Sequence, residues 1–104
     1  MTYLISFYVP ETHCEAVKQA LFNNGAGELG DYDSCCWQVK GEGQFRPKEG
    51  SSPFLGEKGV LEKTTEYKVE MICKDQVIKE VIDALKKSHP YEEVAYSVIK
   101  LEEF

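Results

Sequence analysis

Lys86-Lys87-Ser88-His89-Pro90-Tyr91-Glu92-Glu93-Val94-Ala95-Tyr96 is the junction that decides the fold. Upstream of it, Val77, Ile78, Val81, Ile82 and Leu85 recur at helical spacing and form one apolar stripe. Asp75 stands where an N-cap belongs, and Lys86 and Lys87 suit the negative end of the helix dipole. Pro90 stops the helix because its ring cannot continue the backbone ladder. Downstream, residues 93–101 alternate as a strand, with Ala95, Ile99 and Leu101 on one face and Val94, Tyr96 and Val98 on the other. The chain therefore closes on helix, turn, strand. The turn itself packs an imidazole, a phenol and two carboxylates into His89–Glu93.

Working outward, residues 60–73 read as a long strand. Thr65, Tyr67, Val69, Met71 and Cys73 make its apolar face, and Glu66, Lys68 and Glu70 make the other. At the other end of the chain, residues 2–9 are rich in β-branched and aromatic side chains and read as an interior strand ended by Pro10. Thr12 and Glu15 have capping-box spacing ahead of a helix that buries Cys14, Val17 and Leu21, with Ala20 beside the stripe. Asn23-Asn24-Gly25 closes that helix, with Gly25 as the left-handed residue after it. Residues 34–40 alternate again, which predicts Cys35, Trp37 and Val39 toward the core and Ser34, Cys36, Gln38 and Lys40 away.

The order is β-α-β-β-α-β over a single domain, residues 1–104. Such a chain folds as an α+β ferredoxin-like sandwich, a four-stranded antiparallel sheet with both helices on one face. Right-handed β-α-β units give strand order 4-1-3-2. Residues 41–59 interrupt this scheme with five of the eight glycines and two of the four prolines; Gly41–Pro47 could extend the preceding strand, and Ser51–Gly56 reads as irregular. So long an irregular connection points to function or to packing on a partner, and Phe45, Phe54 and Leu55 are too apolar for a free linker. The sheet face without helices should carry Leu4, Ser6, Tyr8, Cys36, Gln38, Glu66, Lys68, Glu70, Val94, Tyr96 and Val98. That is too apolar for water at the first and last strands, and it predicts a homo-oligomer built on this face.

Composition narrows the function classes. Twelve basic against eighteen acidic residues give a formal charge of −6, so nucleic acid and anionic membrane are excluded as partners for want of a basic face. No apolar run approaches the ~20 residues of a membrane span. Cys14, Cys35, Cys36 and Cys73 show no C-x-x-C spacing, which suits a reducing cytoplasm. Cys14 falls near a helix N-terminus but on the core stripe, so it reads as a buried structural thiol. The Gly25-Ala26-Gly27-Glu28-Leu29-Gly30 run connects helix to strand, the reverse of a phosphate-binding order. Asp31 and Asp33 serve either as turn formers or as cation ligands.

The His89 turn has two readings. In one, Pro90 stops the helix, Tyr91 anchors by packing, His89 caps the last helical carbonyls and the glutamates are solvated. In the other, His89, Glu92 and Glu93 ligate a divalent metal ion, completed by His13 or Asp31 of a neighbouring subunit. With Tyr91, Phe45 and Arg46 they make the candidate ligand-binding set. No nucleophile with a partnered base is visible, so no catalytic residue is assigned.

Several motifs together carry a resemblance: Gly25-Ala26-Gly27-x-x-Gly30-x-Tyr32-Asp33, Gly41-x-Gly43-x-Phe45-x-Pro47, Gly50-x-x-Pro53-x-x-Gly56, Leu61-Glu62, Glu66-x-Lys68-x-Glu70 and His89-Pro90-Tyr91-Glu92-Glu93-x-Ala95-Tyr96. Over nearly the whole chain they resemble the YqfO-type insert domain of the Nif-three-like di-metal proteins. The His-Pro-Tyr-Glu turn is similar to that of the cation-tolerance protein CutA and, more distantly, of PII signalling proteins. The resemblance implies the ferredoxin-like fold, a trimer (a dimer is the alternative) and ligands or metals held in clefts between subunits. The two-metal site of the full-length family lies on flanking domains, so none of its residues is carried over. The expected function is a non-enzymatic oligomeric binding or regulatory module for a small ligand, a divalent metal or a partner protein. The alternative is a small metal-dependent enzyme with its site at the His89–Glu93 turn.

Overall fold

A computed structural model describes residues 1–104. The elements follow the predicted order: β1 (Thr2–Pro10), α1 (Cys14–Asn23), β2 (Trp37–Phe45), β3 (Glu62–Lys74), α2 (Ile78–Ser88) and β4 (Tyr96–Leu101). They build one antiparallel sheet in the order β2-β3-β1-β4, which is the expected 4-1-3-2 arrangement. The long β1 and β3 pair centrally, with Ile5 opposite Met71 and Phe7 opposite Val69. Both helices lie on one side of this pair. Ile5, Phe7 and Val9 of β1, Val69, Met71 and Cys73 of β3, Cys14, Val17 and Leu21 of α1, and Val81 and Leu85 of α2 form the dry core.

The helix boundaries show where local signals gave way. Gly25, at φ +101, is the left-handed residue that the sequence predicts. The Gly25 N–H donates to Phe22 O and the Ala26 N–H to Leu21 O, so the last turn closes as a Schellman motif. The two predicted N-caps do not form. Residues 11–13 wind into a 3-10 turn ahead of α1, and the Thr12 hydroxyl pairs with His13 Nδ1 instead of a helical N–H. Lys74–Val77 likewise make a tight turn before α2, which starts without a side-chain cap, and the Asp75 carboxylate meets the N-terminal ammonium.

Two strands present the opposite faces from those expected. In β2, Trp37 sits across from Glu70 and Val39 from Lys68. Trp37 and Val39 therefore join the open face, while Gln38 and Lys40 turn toward the helices, where Gln38 Oε1 approaches the Cys14 thiol. In β4, Ile99 is opposite Leu4 and Val98 opposite Ile5. Ile99 and Leu101 thus lie on the open face, Tyr96 and Val98 on the helix side, and Val94 packs against the core. Both are edge strands; β4 has apolar groups on both faces and β2 on only one, and in each alternation fixes the split but not which side meets the helices. Cys35 precedes β2, and its N–H is held by Gly27 O.

Registration also produces an overhang. β1 ends at Pro10, opposite Glu66, but β3 continues back to Glu62 and stays paired with Glu42–Phe45 of β2. This two-stranded arm projects beyond the central sheet. The long connection from 41 begins as the expected extension of the preceding strand and becomes irregular after Phe45.

Candidate functional site

The arm, the His89–Glu93 turn and the segment after Phe45 enclose a cavity of about 390 Å³. The turn is fixed first. His89 is 6% exposed. Its Nε2 lies 2.7 Å from Tyr8 O, a carbonyl that can only accept, so Nε2 carries the proton. Its Nδ1 therefore holds a lone pair, and accepts the Tyr91 N–H at 3.1 Å. Burial lowers the imidazole pKa; the Tyr8 carbonyl and Glu66 oppose this, and His13 adds to it. The ring is a neutral brace between β1 and the turn, and the helix stop at Pro90 aims Tyr91 away from α2.

Tyr91 is the centre of the cavity wall. Its ring lies 5.8 Å from Phe45 at 56° and 6.2 Å from Phe54 at 47°, and its edge meets His89 at 5.0 Å. Phe54 is steadied from behind by His13, edge-on at 5.4 Å. The Tyr91 hydroxyl is shut off from water, with the Glu66 carboxylate beside it but outside strict hydrogen-bond geometry. Burial, and after it the Glu66 carboxylate, raise its pKa well above the ordinary phenol value. Glu66 reaches this position because residue 43 is glycine: a Cβ there would collide with the Glu66 carboxylate. Glu92 Oε1 accepts the Ser52 N–H at 2.8 Å and ties the turn to the irregular segment.

Of the six residues expected to bind ligand, Phe45, Arg46, Tyr91, Glu92 and Glu93 all line this cavity. His89 stands behind it and positions Tyr91. The metal set does not converge. No three His, Cys, Asp or Glu side chains gather in a way that could hold an ion, and His89 has no lone pair free for one. Asp31 and Asp33 lie on an exposed turn joined by the Leu29–Tyr32 bridge. Sequence reasoning missed Tyr8, Glu66 and Phe54 as lining residues. Glu66 was visible in the Glu66-x-Lys68-x-Glu70 pattern, and Phe54 as an apolar residue stranded in a polar segment. Cys14 and Cys73 are buried thiols pushed upward in pKa by desolvation, Cys73 to about 11, and neither is a nucleophile at neutral pH.

No family model matches the chain. The chain is 44% identical over 99 residues to the GTP cyclohydrolase 1 type 2 homolog of Bacillus subtilis, a match that takes in 95% of this chain and 26% of that protein. Its backbone superposes on the Bacillus cereus protein related to NIF3 with a TM-score of 0.83 at 38% identity, over 98% of this chain and 26% of that one. The chain is the counterpart of about a quarter of a Nif-three-related protein. That agrees with the resemblance carried by the glycine and His-Pro-Tyr-Glu-Glu motifs. The divalent cation tolerance protein CutA of Archaeoglobus fulgidus superposes with a TM-score of 0.70 at 19% identity, over 100% of this chain and 87% of that one, which shows a shared fold.

Proposed function

We propose that the chain is a non-enzymatic binding or regulatory module that takes a small organic ligand between the His89–Glu93 turn and residues 45–55. The observation that carries this reading is the cavity itself, at about 390 Å³. It has the size of a small-molecule site and the usual make-up, apolar walls with a few fixed polar groups. The alternative of a small metal-dependent enzyme at the turn is weakened, because the hydrogen bonds of His89 consume the ligand that a divalent ion would need first.

The module works as a homo-oligomer through the open sheet face, and the resemblance implies a trimer. Tyr8 supports placing the ligand at a subunit boundary, since it belongs to that face and also lines the cavity. Four free cysteines suit a reducing compartment such as the cytoplasm. No helix is long and apolar enough to cross a membrane.

A fragment screen read by backbone amide chemical shifts tests the site without presupposing a ligand. Hits are expected to cluster on Phe45, Phe54, Tyr91 and Glu92. Fragments that scatter over the surface, or that gather elsewhere, would refute the assignment.

A further inference from the structure

The charge and shape of the cavity narrow its ligand class. We propose that it binds an organic ammonium ion, an apolar body carrying a protonated amine, with the cationic head held by Glu66 among the rings of Phe45, Phe54 and Tyr91. This rests on the binding-module reading above and specifies its ligand.

Three observations converge. First, the three aromatic rings are tilted rather than stacked, so no ring face is fully covered by its neighbour. Aromatic faces carry negative quadrupole potential and attract cations most strongly where water is excluded. Second, the innermost charge is negative. Glu66 bears electrostatically on both His89 and Tyr91, and Glu62 adds to the field at Tyr91. The cationic lining residues, Arg46 and Lys48, are exposed at the rim. Third, the Glu66 carboxylate lines the cavity beside the Tyr91 hydroxyl, and no lysine or arginine pairs with it. An ammonium N–H in the cavity can donate to this carboxylate, which would repel an anion and would gain nothing from a hydrocarbon.

The test uses one apolar body with three charges: 2-phenylethylamine, 2-phenylethanol and 3-phenylpropanoate, titrated at neutral pH against the whole chain and followed by amide shifts. The amine is expected to bind saturably at Phe45, Phe54 and Tyr91, at least tenfold more tightly than the alcohol, and the propanoate not to saturate. Glu66→Gln should reduce the amine to the affinity of the alcohol. Gly43→Ala should do the same by displacing the Glu66 carboxylate, at little cost to the sheet because only a flexible side-chain end must move. Phe54 is mostly exposed, so Phe54→Ala keeps the fold and should weaken amine and alcohol together. Equal affinity of amine and alcohol overturns the proposal. So does tightest binding of the propanoate, lost in Arg46→Ala. If none of the three binds although fragments still cluster at the cavity, this inference fails and the site stands. If fragments do not cluster there either, both fail.

Discussion

A single imidazole ties the turn to the sheet, and its two nitrogens have no spare capacity. His89 donates from Nε2 to Tyr8 O and accepts at Nδ1 from the Tyr91 N–H. Protonation would turn Nδ1 into a donor facing a donor. The folded state therefore favours the neutral ring, and its pKa lies below the ordinary value of 6.5. Between the folded and unfolded values the unfolded chain binds more protons, so stability rises with pH. The contribution of His89 is fully present above about pH 6.5 and is lost as pH falls through the lower, folded value. Thermal unfolding of the wild type should weaken from pH 7.5 to 5.5 by more than that of His89→Gln, with the difference assigned to this ring. Parallel pH profiles would show that the brace does not titrate. At neutral pH His89→Gln should cost about 1–3 kcal/mol, since at least one of its two partners is left unpaired. Gly27 makes the second residue-scale prediction. It sits at φ +78, its N–H donates to Ile72 O, and a Cβ would stand 2.8 Å from both Cys35 O and the Phe22 ring. Backbone on one side and a packed ring on the other leave no room to yield. Gly27→Ala should lower the unfolding free energy by about 2–3 kcal/mol, and an unchanged urea midpoint would contradict that packing.

Among the elements, α2 shows how far pattern alone reaches. The stripe Val77, Ile78, Val81, Ile82, Leu85 is legible because helical spacing admits only one buried face, and all five residues lie in or against the core. Leu85 is fully buried, and Leu85→Ala should cost about 2–5 kcal/mol in denaturant unfolding, the range set by how far the site collapses. A loss below about 1 kcal/mol would mean that α2 packs less tightly than its burial indicates. Strand order and the faces of β1 and β3 were equally legible, because one set of alternate residues in each is decisively apolar. The edge strands were not. Trp37 and Val39 look like core residues, yet cross-strand pairing places them against Glu70 and Lys68. Register with a neighbour decided their orientation, and one sequence does not contain that information. The candidate site was half legible for the same reason. The turn and Phe45 stand out as chemistry, whereas Glu66, opposite the last residue of β1, enters the cavity because residue 43 lacks a side chain.

At the scale of the whole molecule the inversion of the edge strands strengthens the case for assembly. The open face now carries Trp37, Val39, Leu4, Tyr8, Ile72, Ile99 and Leu101, with Ser6 and Glu70 hydrogen-bonded at its centre. Trp37 is 61% exposed, Ile99 53% and Val39 44%. A net charge of −6 keeps such a chain from indiscriminate association, but it does not hydrate an apolar sheet face of this extent. The face also includes both edge strands, where charged residues would normally discourage pairing. Trp37 is the sole tryptophan, so its fluorescence reports directly on whether the face is covered. At tens of micromolar, light scattering should give an integral multiple of the chain mass, with a blue-shifted Trp37 emission that moves to the red on dilution. The double variant Val39→Lys and Ile99→Lys retains Trp37 as the reporter and places one charge on each edge strand. It should give a monomer with unchanged far-ultraviolet circular dichroism and red emission at every concentration. A wild type that is monodisperse as a monomer, with red emission at the same concentration, would leave the apolar face bare in water. The subunit boundary would go with it, and the cavity lined by Tyr8 would then have to work within one chain.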